Sequence, residues 1–167
     1  NQNLVNDAKE IRSWIIFRYA ETLLNYAEAM NEAYGPDSDP KGYGKTAREA
    51  VNEVRNRSGV RMPPVSVSIG DVESMREAIK HERCIELAFE EHRYWDLKRW
   101  NDAKEILNQP IKGVKVTKLS EGENIRYVYT EFDVAKRFFS APKMNLYPIP
   151  QTEIVKSQGV LVQNPEW

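Results

Sequence analysis

Two glutamates, Glu82 and Glu86, are the residues of this chain whose type and spacing most readily suggest chemistry. They lie four positions apart, so a helix through this stretch places both carboxyl groups on one face. Two carboxyl groups beside a cleft are the machinery of glycoside hydrolysis, in which one is the general acid and the other a base or nucleophile. The spacing therefore allows a paired-carboxylate catalytic site as one interpretation.

The residues around the two glutamates favour a structural role. On a helical projection, both point into the middle of an apolar arc, formed by Met75, Ala78, Ile79, Ile85 and Phe89. A carboxylate in such a place is costly unless it is paired or hydrogen-bonded. We therefore expect both glutamates to be largely buried and in contact with arginine.

Arginines are available as partners at Arg83, Arg93 and Arg99, with Arg55 and Arg57 further away along the chain. An arginine beside a carboxylate favours its ionised form, whereas a general acid must hold a proton. We predict a structural ion-pair network of Glu82, Glu86, Arg93 and Arg99, and no enzymatic activity.

A metal site is not expected. Asp37, Asp39 and Gly42 are spaced like the start of a calcium loop, but Lys41 and Arg48 stand where such a loop needs oxygen ligands. The two histidines are eleven positions apart and no third ligand accompanies them. The chain also lacks a glycine-rich phosphate loop, and we expect no cofactor.

Exposed aromatic rings are the remaining candidate binding groups. Tyr43 lies in a loop flanked by glycines and Tyr34 lies at a predicted helix end. Flat rings on a surface are suited to stacking against sugar rings, so both are candidate ligand-binding residues. Trp95 and Trp100, five positions apart on a predicted helix, are interpreted as packing residues.

The composition indicates one globular domain over residues 1–167. The chain has 167 residues, 41% hydrophobic and 29% charged, with a net charge of −1. The charges are spread throughout, which argues against a nucleic-acid partner. The lone Cys84 has no partner for an internal disulfide.

Helix pairs dominate the first two thirds of the chain. Apolar residues at helical spacing predict a helix over residues 18–34, and Thr46 to Glu49 match a capping box that starts a second. Asp71 is the predicted N-cap of a third helix ending near Glu91, and a fourth covers Tyr94 to about Leu107. Residues 18–107 thus form two helix hairpins, a mainly α arrangement of the α-superhelix type.

The last third is predicted to be an irregular, proline-rich extension wrapped over the helices, at residues 108–167. It includes a small β-hairpin around residues 120–123 and one helical turn near Thr152–Val155.

Three blocks of this sequence resemble the C-terminal portion of the SusD/RagB family of outer-membrane nutrient-binding lipoproteins. They are RYAETLLNYAEA at 18–29, IKHERCIELAFEEHRYWDLKRW at 79–100, and LYPIPQTEI at 146–154, closed by QNP at 163–165. NEVRNRSG at 52–59 is also similar to the family. Cys84 stands where a basic residue is expected, and the family's upstream half lies outside this chain.

The resemblance implies tetratricopeptide-like helix pairs and a non-catalytic protein on the extracellular face of the outer membrane. A lipidated N-terminal cysteine outside this chain would anchor it. The protein would bind an oligosaccharide, or in some relatives a peptide, and pass it to a TonB-dependent, SusC-like transporter. No ligand residue can be transferred by motif. The alternative is a helix-pair module that binds a protein or peptide and no carbohydrate.

Overall fold

The computed structural model describes residues 16–121 and 124–167. Residues 1–15 and the tip of the predicted hairpin, at 122 and 123, lie outside the described residues. The chain divides into two compact units, one ending at Arg93 and the other running from Tyr94 to Trp167.

The first unit contains three helices, α1 (Tyr19–Tyr34), α2 (Ala47–Arg55) and α3 (Val72–Glu86). Helix α1 packs against both α2 and α3. The apolar stripes of the three helices meet in one core, because each stripe repeats at helical spacing. The most deeply buried side chains of this core include Leu24, Ala27, Val51, Met75 and Ile79.

The starts of α2 and α3 follow directly from local sequence. The Thr46 hydroxyl accepts a hydrogen bond from the Glu49 main-chain N–H, and the Glu49 carboxylate accepts one from the Thr46 N–H. The Asp71 carboxylate accepts from the Ser74 N–H at 2.8 Å. Caps of this kind stabilise a helix by about 1 kcal/mol each. Both predicted helix starts are confirmed.

Helix α3 ends earlier than predicted. It stops at Glu86, because Phe89 and Glu91 both adopt φ values of 65°, a conformation that interrupts a right-handed helix. Phe89 is fully exposed and Ile85 is 53% exposed. The expectation that these two residues complete the buried arc is therefore wrong, although Met75 and Ile79 do lie in the core.

The boundary between the units falls inside α4 (His92–Arg99), which is followed by α5 (Ala103–Leu107). The sequence predicts one continuous helix here, but Asn101 adopts φ 63° and separates the two. Leu97, Ala103 and Phe139 form the buried centre of the second unit.

A two-stranded antiparallel sheet follows, with β1 (Ile111–Glu121) pairing with β2 (Asn124–Ala135). It is longer than the small hairpin predicted. Gly113 fits beneath its neighbours only because it has no side chain: a Cβ there would lie 2.6 Å from Cγ2 of Val134. A 3-10 turn (Lys143–Asn145) and α6 (Gln151–Lys156) complete the unit, and α6 matches the predicted helical turn.

The fold class is confirmed: the described residues are mainly helical, with one small antiparallel sheet. The organisation of residues 1–167 as a single domain, with hairpins at 18–107 and a wrap at 108–167, stays a prediction. No helix among the described residues is both long enough and apolar enough to cross a bilayer.

Candidate functional site

Glu86, the last residue of α3, is held by two arginines from different parts of the first unit. Its Oε1 lies 2.5 Å from Nη1 of Arg18, which directly precedes α1, and its Oε2 lies 2.5 Å from Nη1 of Arg57, just after α2. Arg18 also donates to the Glu86 main-chain carbonyl. The Glu86 side chain is 6% exposed. One carboxylate thus joins all three helices.

Glu90 extends this cluster on the other side of Arg18. Arg18 Nε lies 2.7 Å from Glu90 Oε2, and Nη2 lies 2.8 Å from Oε1, so the guanidinium and the carboxylate form a bidentate pair. Hydrogen bonding by Arg18 lowers the pKa of Glu90. Hydrogen bonding by Glu90, assisted by Glu86, raises the pKa of Arg18 against the opposing effect of partial burial.

Glu82, one turn earlier on α3, is 4% exposed and pairs with Arg55 at the end of α2. Arg55 Nη1 lies 2.5 Å from Glu82 Oε2, and Arg55 Nε donates to the Pro63 carbonyl at 2.7 Å. This pair ties α3 to α2 and to the segment that follows α2. Both glutamates are buried and contact arginine, as the sequence predicts.

The arginines that bind Glu82 and Glu86 differ from the partners that the sequence predicts. Arg55 and Arg57 are the candidates further away along the chain, and Arg18, which opens the first family-like block, is not among the predicted partners. Arg93 is exposed, and Arg99 donates through Nε to Asp96 in its own helix at 2.8 Å. The inclusion of Arg93 and Arg99 in a network with the two glutamates stays a prediction.

The two candidate tyrosines lie together. A hydrogen bond between their hydroxyl groups raises the pKa of Tyr34. Tyr43 is 61% exposed and Tyr34 is half-buried. The Asp39 carboxylate accepts from the main-chain N–H groups of Tyr43 and Gly44, at 2.9 and 2.8 Å, and so shapes the loop that carries Tyr43. A binding role for the pair stays a prediction.

The acidic residues with calcium-like spacing in this loop make contacts within the protein. Arg48 is 7% exposed and donates through Nε and Nη2 to the two Asp37 oxygens, at 2.6 and 2.8 Å. Its Nη1 donates to the Ser66 carbonyl. The first residue of the supposed metal loop therefore forms an ion pair. Across the described residues, no three His, Cys, Asp or Glu side chains are grouped to hold a metal.

An open aromatic cleft of about 600 Å³ lies within the second unit. Trp95 from α4 and Tyr147 from the proline-rich segment form its walls, with ring centroids 6.0 Å apart and planes inclined by 58°. Their exposed fractions are 54% and 58%. Trp95 contacts the rings of Tyr94 and Tyr147, and Trp100 is half-buried; a packing role for the two tryptophans stays a prediction.

The family-like third block positions Tyr147. Asn164 Nδ2 donates to the Tyr147 carbonyl at 2.6 Å. The Gln163 side chain accepts from the Ile149 N–H and donates to the Ile149 carbonyl, at 2.8 and 2.9 Å. The Tyr147 hydroxyl bonds to that of Tyr94, which raises the pKa of Tyr147. Gln163 and Asn164 thus hold the backbone around Tyr147, and Tyr94 of α4 holds its ring.

Comparison with known proteins gives a consistent result. The chain matches the SusD family over residues 3–167. A SusD-like protein of Formosa agariphila is 31% identical over 164 residues, which is 96% of this chain and 27% of that protein. A second from the same organism is 36% identical over 105 residues, covering 60% of this chain and 19% of that protein.

Solved structures agree. A SusD-like protein from Bacteroides fragilis superposes with a TM-score of 0.68 at 35% identity, over 92% of this chain and 26% of that one. A SusD-like carbohydrate-binding protein from the same species superposes with a TM-score of 0.62 at 35% identity. The superposition covers 83% of this chain and 26% of that one. The chain therefore spans about a quarter of the length of these relatives.

Packed helices joined by ion pairs, together with a short sheet, define a mainly α protein of tetratricopeptide-like fold. The extent of the match then identifies its family. The chain belongs to the SusD family.

We expect Glu82→Gln to lower the free energy of unfolding by about 2 kcal/mol, because the substitution removes the charge that Arg55 binds in a buried place. Glu77→Gln is the matched control on the same helix, since Glu77 is exposed and its ion pair among the described residues is with nearby Lys80. That control should change stability by less than about 0.5 kcal/mol. Urea unfolding measures both. Equal effects of the two substitutions would contradict a structural role for Glu82.

Glu90 predicts a specific dependence of stability on pH. Its pKa is lower in the folded chain than the ordinary value of 4.5, so the Arg18 pair stabilises the fold above that value and is lost as pH falls through the folded pKa. Glu90→Gln should reduce stability most at neutral pH. The difference from the unsubstituted chain should shrink below about pH 4.5. Urea titrations from neutral to acid pH measure this; a constant difference would overturn it.

Proposed function

We propose that this chain is the C-terminal part of a non-catalytic cell-surface protein that binds glycans and works with a TonB-dependent outer-membrane transporter. The observation that carries the proposal is the likeness to the carbohydrate-binding relative from Bacteroides fragilis, which extends over 83% of the chain. Because the chain spans about a quarter of that relative, the proposal concerns the whole protein to which the chain belongs.

The contacts of the paired glutamates support a non-catalytic function. Each carboxylate accepts hydrogen bonds from arginines of other segments of the first unit, so these carboxylates connect helices. A glycosidase needs one carboxylic acid that donates a proton to the leaving group. Glu82 and Glu86 are thus arranged to hold helices together, not to transfer protons.

The exposed aromatic rings support sugar binding. Tyr43 in the first unit, and Trp95 and Tyr147 in the second, each expose more than half of their surface. The C–H groups of a sugar ring carry partial positive charge and are attracted to the negative face of an aromatic ring. In the proposed mechanism, rings and hydrogen-bonding groups hold the glycan, and the helices form a rigid support that docks on the transporter.

The proposed location is the extracellular face of the outer membrane. A lipid anchor would be attached to a part of the protein that precedes this chain. The transporter would be of the SusC-like class, and the glycan would pass from the binding protein to it.

The proposal predicts saturable glycan binding by the full-length protein that carries this chain. A panel of oligosaccharides and a panel of peptides of similar size would be tested by calorimetry. We expect heat of binding from at least one glycan and an unchanged glycan after prolonged incubation. Tight binding of peptides without any glycan would favour the helix-pair peptide module and overturn the proposal, and release of sugar fragments would overturn its non-catalytic part.

The transporter part has its own measurement. Cells that lack the full-length protein should take up the bound glycan more slowly, and uptake should return when the protein is supplied with its lipid anchor. Unimpaired uptake in those cells would contradict a joint function with the transporter.

A further inference from the structure

Phe89 combines full exposure with an unfavourable backbone conformation. Its side chain is fully exposed in this chain, and its φ of 65° lies in the left-handed region, which is a genuine outlier for a bulky residue. An exposed phenylalanine gains nothing from burial, and the backbone conformation adds a further cost in free energy. Both costs are offset if another protein surface covers the ring.

The turn that carries Phe89 is fixed on both sides of the ring. Leu87 is 2% exposed and belongs to the core of the first unit, and the Glu90 N–H donates to the Leu87 carbonyl at 3.2 Å. Arg18 holds the Glu90 carboxylate through two hydrogen bonds and also donates to the Glu86 carbonyl. The ring is therefore presented from a backbone that is already ordered, so binding it costs little further conformational entropy.

Other exposed apolar side chains lie at the same end of the first unit. Phe17 directly precedes Arg18 in the chain. Ile85 directly precedes Glu86, so the ion pair of Arg18 and Glu86 brings both apolar residues to one region. Phe17 is 64% exposed and Ile85 is 53% exposed. We call Phe17, Ile85 and Phe89 the Phe89 patch.

The charges beside the Phe89 patch are balanced. Glu86 and Glu90 are paired with Arg18 and Arg57, so two acidic groups face two basic ones. Such a surface has no excess charge to attract an ionic ligand or an anionic membrane. A sugar needs polar groups that are available to its hydroxyls, whereas these groups bond to one another. The chemistry of the patch fits an apolar protein surface.

The size of the patch indicates which apolar surface that is. Burying two phenylalanine side chains removes about 300–500 Å² from water. A specific interface between separate molecules buries about 800 Å² on each partner. Two parts of one polypeptide avoid the loss of translational freedom that separate molecules incur on association. A patch of this size therefore suits a contact within one protein better than a dimer.

Most of the length of the relatives lies outside the region that this chain matches. The chain covers 27% of one curated relative and 26% of one solved structure. Helix pairs of this kind bury their faces against neighbouring pairs, and about three or more are needed for a stable array. The rest of the protein thus has the length to supply an apolar helix face.

We propose that the Phe89 patch is the contact surface for an apolar helix face in the part of the same protein that lies outside this chain. Phe89 inserts between side chains of that face, and Phe17 and Ile85 pack around it. Burial of the ring offsets the cost of its backbone conformation. The proposal rests on this chain being part of a longer protein and is independent of the ligand.

Photo-crosslinking in the full-length protein identifies what covers the patch. Phe89→benzoylphenylalanine keeps the aromatic ring and links it to the nearest side chains under ultraviolet light, and mass spectrometry then identifies the linked peptide. We expect a link within one polypeptide, to a helix outside this chain. A link to a second copy or to another part of this chain, residues 1–15 included, would overturn the proposal, as would the absence of any link.

The matched control for the cross-link is Glu77→benzoylphenylalanine. Glu77 is exposed on the same helix, α3, and pairs with Lys80 on the helix surface. We expect no link from this position to a part of the protein outside this chain. Equal linking from both positions would contradict a specific contact at Phe89.

Two glycine variants measure the contact through stability. Phe89 and Glu91 both have φ 65° and both side chains are exposed in this chain. Glycine adopts this φ without steric cost, so Glu91→Gly should leave the melting temperature of the full-length protein unchanged or raise it. Phe89→Gly also removes the covered ring and should lower the melting temperature. Similar effects of the two variants would overturn the proposal.

These readouts are separate from glycan binding. A full-length protein that binds glycan, but shows no link from Phe89 and no difference between the glycine variants, would overturn the contact and leave the proposed function intact. A link to a helix outside this chain in a protein that binds no glycan would support the contact and count against the proposed function.

Discussion

A carboxylate buried among apolar side chains must find a cation, and in the first unit that requirement determines which chain segments meet. Glu86 ends α3, Arg18 precedes α1, and Arg57 follows α2, so the three helix ends are brought to one point by a single carboxylate. Glu82 adds a second connection through Arg55. The apolar core supplies most of the favourable burial but is not directional. The ion pairs are directional, and they fix the register of α3 on its neighbours.

The same pairs give two glutamates at a catalytic spacing a structural role. Spacing alone places both carboxyl groups on one face of a helix, as a glycosidase would also need. The positive charge around each carboxylate distinguishes a structural role from a catalytic one. Arg18 and Arg57 donate to the two oxygens of the Glu86 carboxylate, and Arg55 donates to one oxygen of the Glu82 carboxylate.

Local signals predicted the helix starts, since the Thr46 capping box and the Asp71 cap need only neighbouring residues. The helix ends were harder to predict from the sequence. The chain turns there at Phe89, Glu91 and Asn101, which adopt positive φ although none of them is glycine, the residue that usually indicates such a turn. The arginine partners are 27 to 68 positions from their glutamates, beyond the reach of helical periodicity. The exposure of Trp95 likewise depends on where the distant Tyr147 segment returns.

The ion pair of Arg18 and Glu86 connects α1 to α3, and a double-mutant cycle measures its contribution to stability directly. Arg18→Met, Glu86→Gln and the double variant would be unfolded in urea at neutral pH. The account predicts a coupling free energy of about 1–2 kcal/mol for this pair, and less than about 1 kcal/mol for the exposed Lys112–Asp133 pair measured in the same way. A coupling free energy for Arg18 and Glu86 indistinguishable from zero would contradict the account.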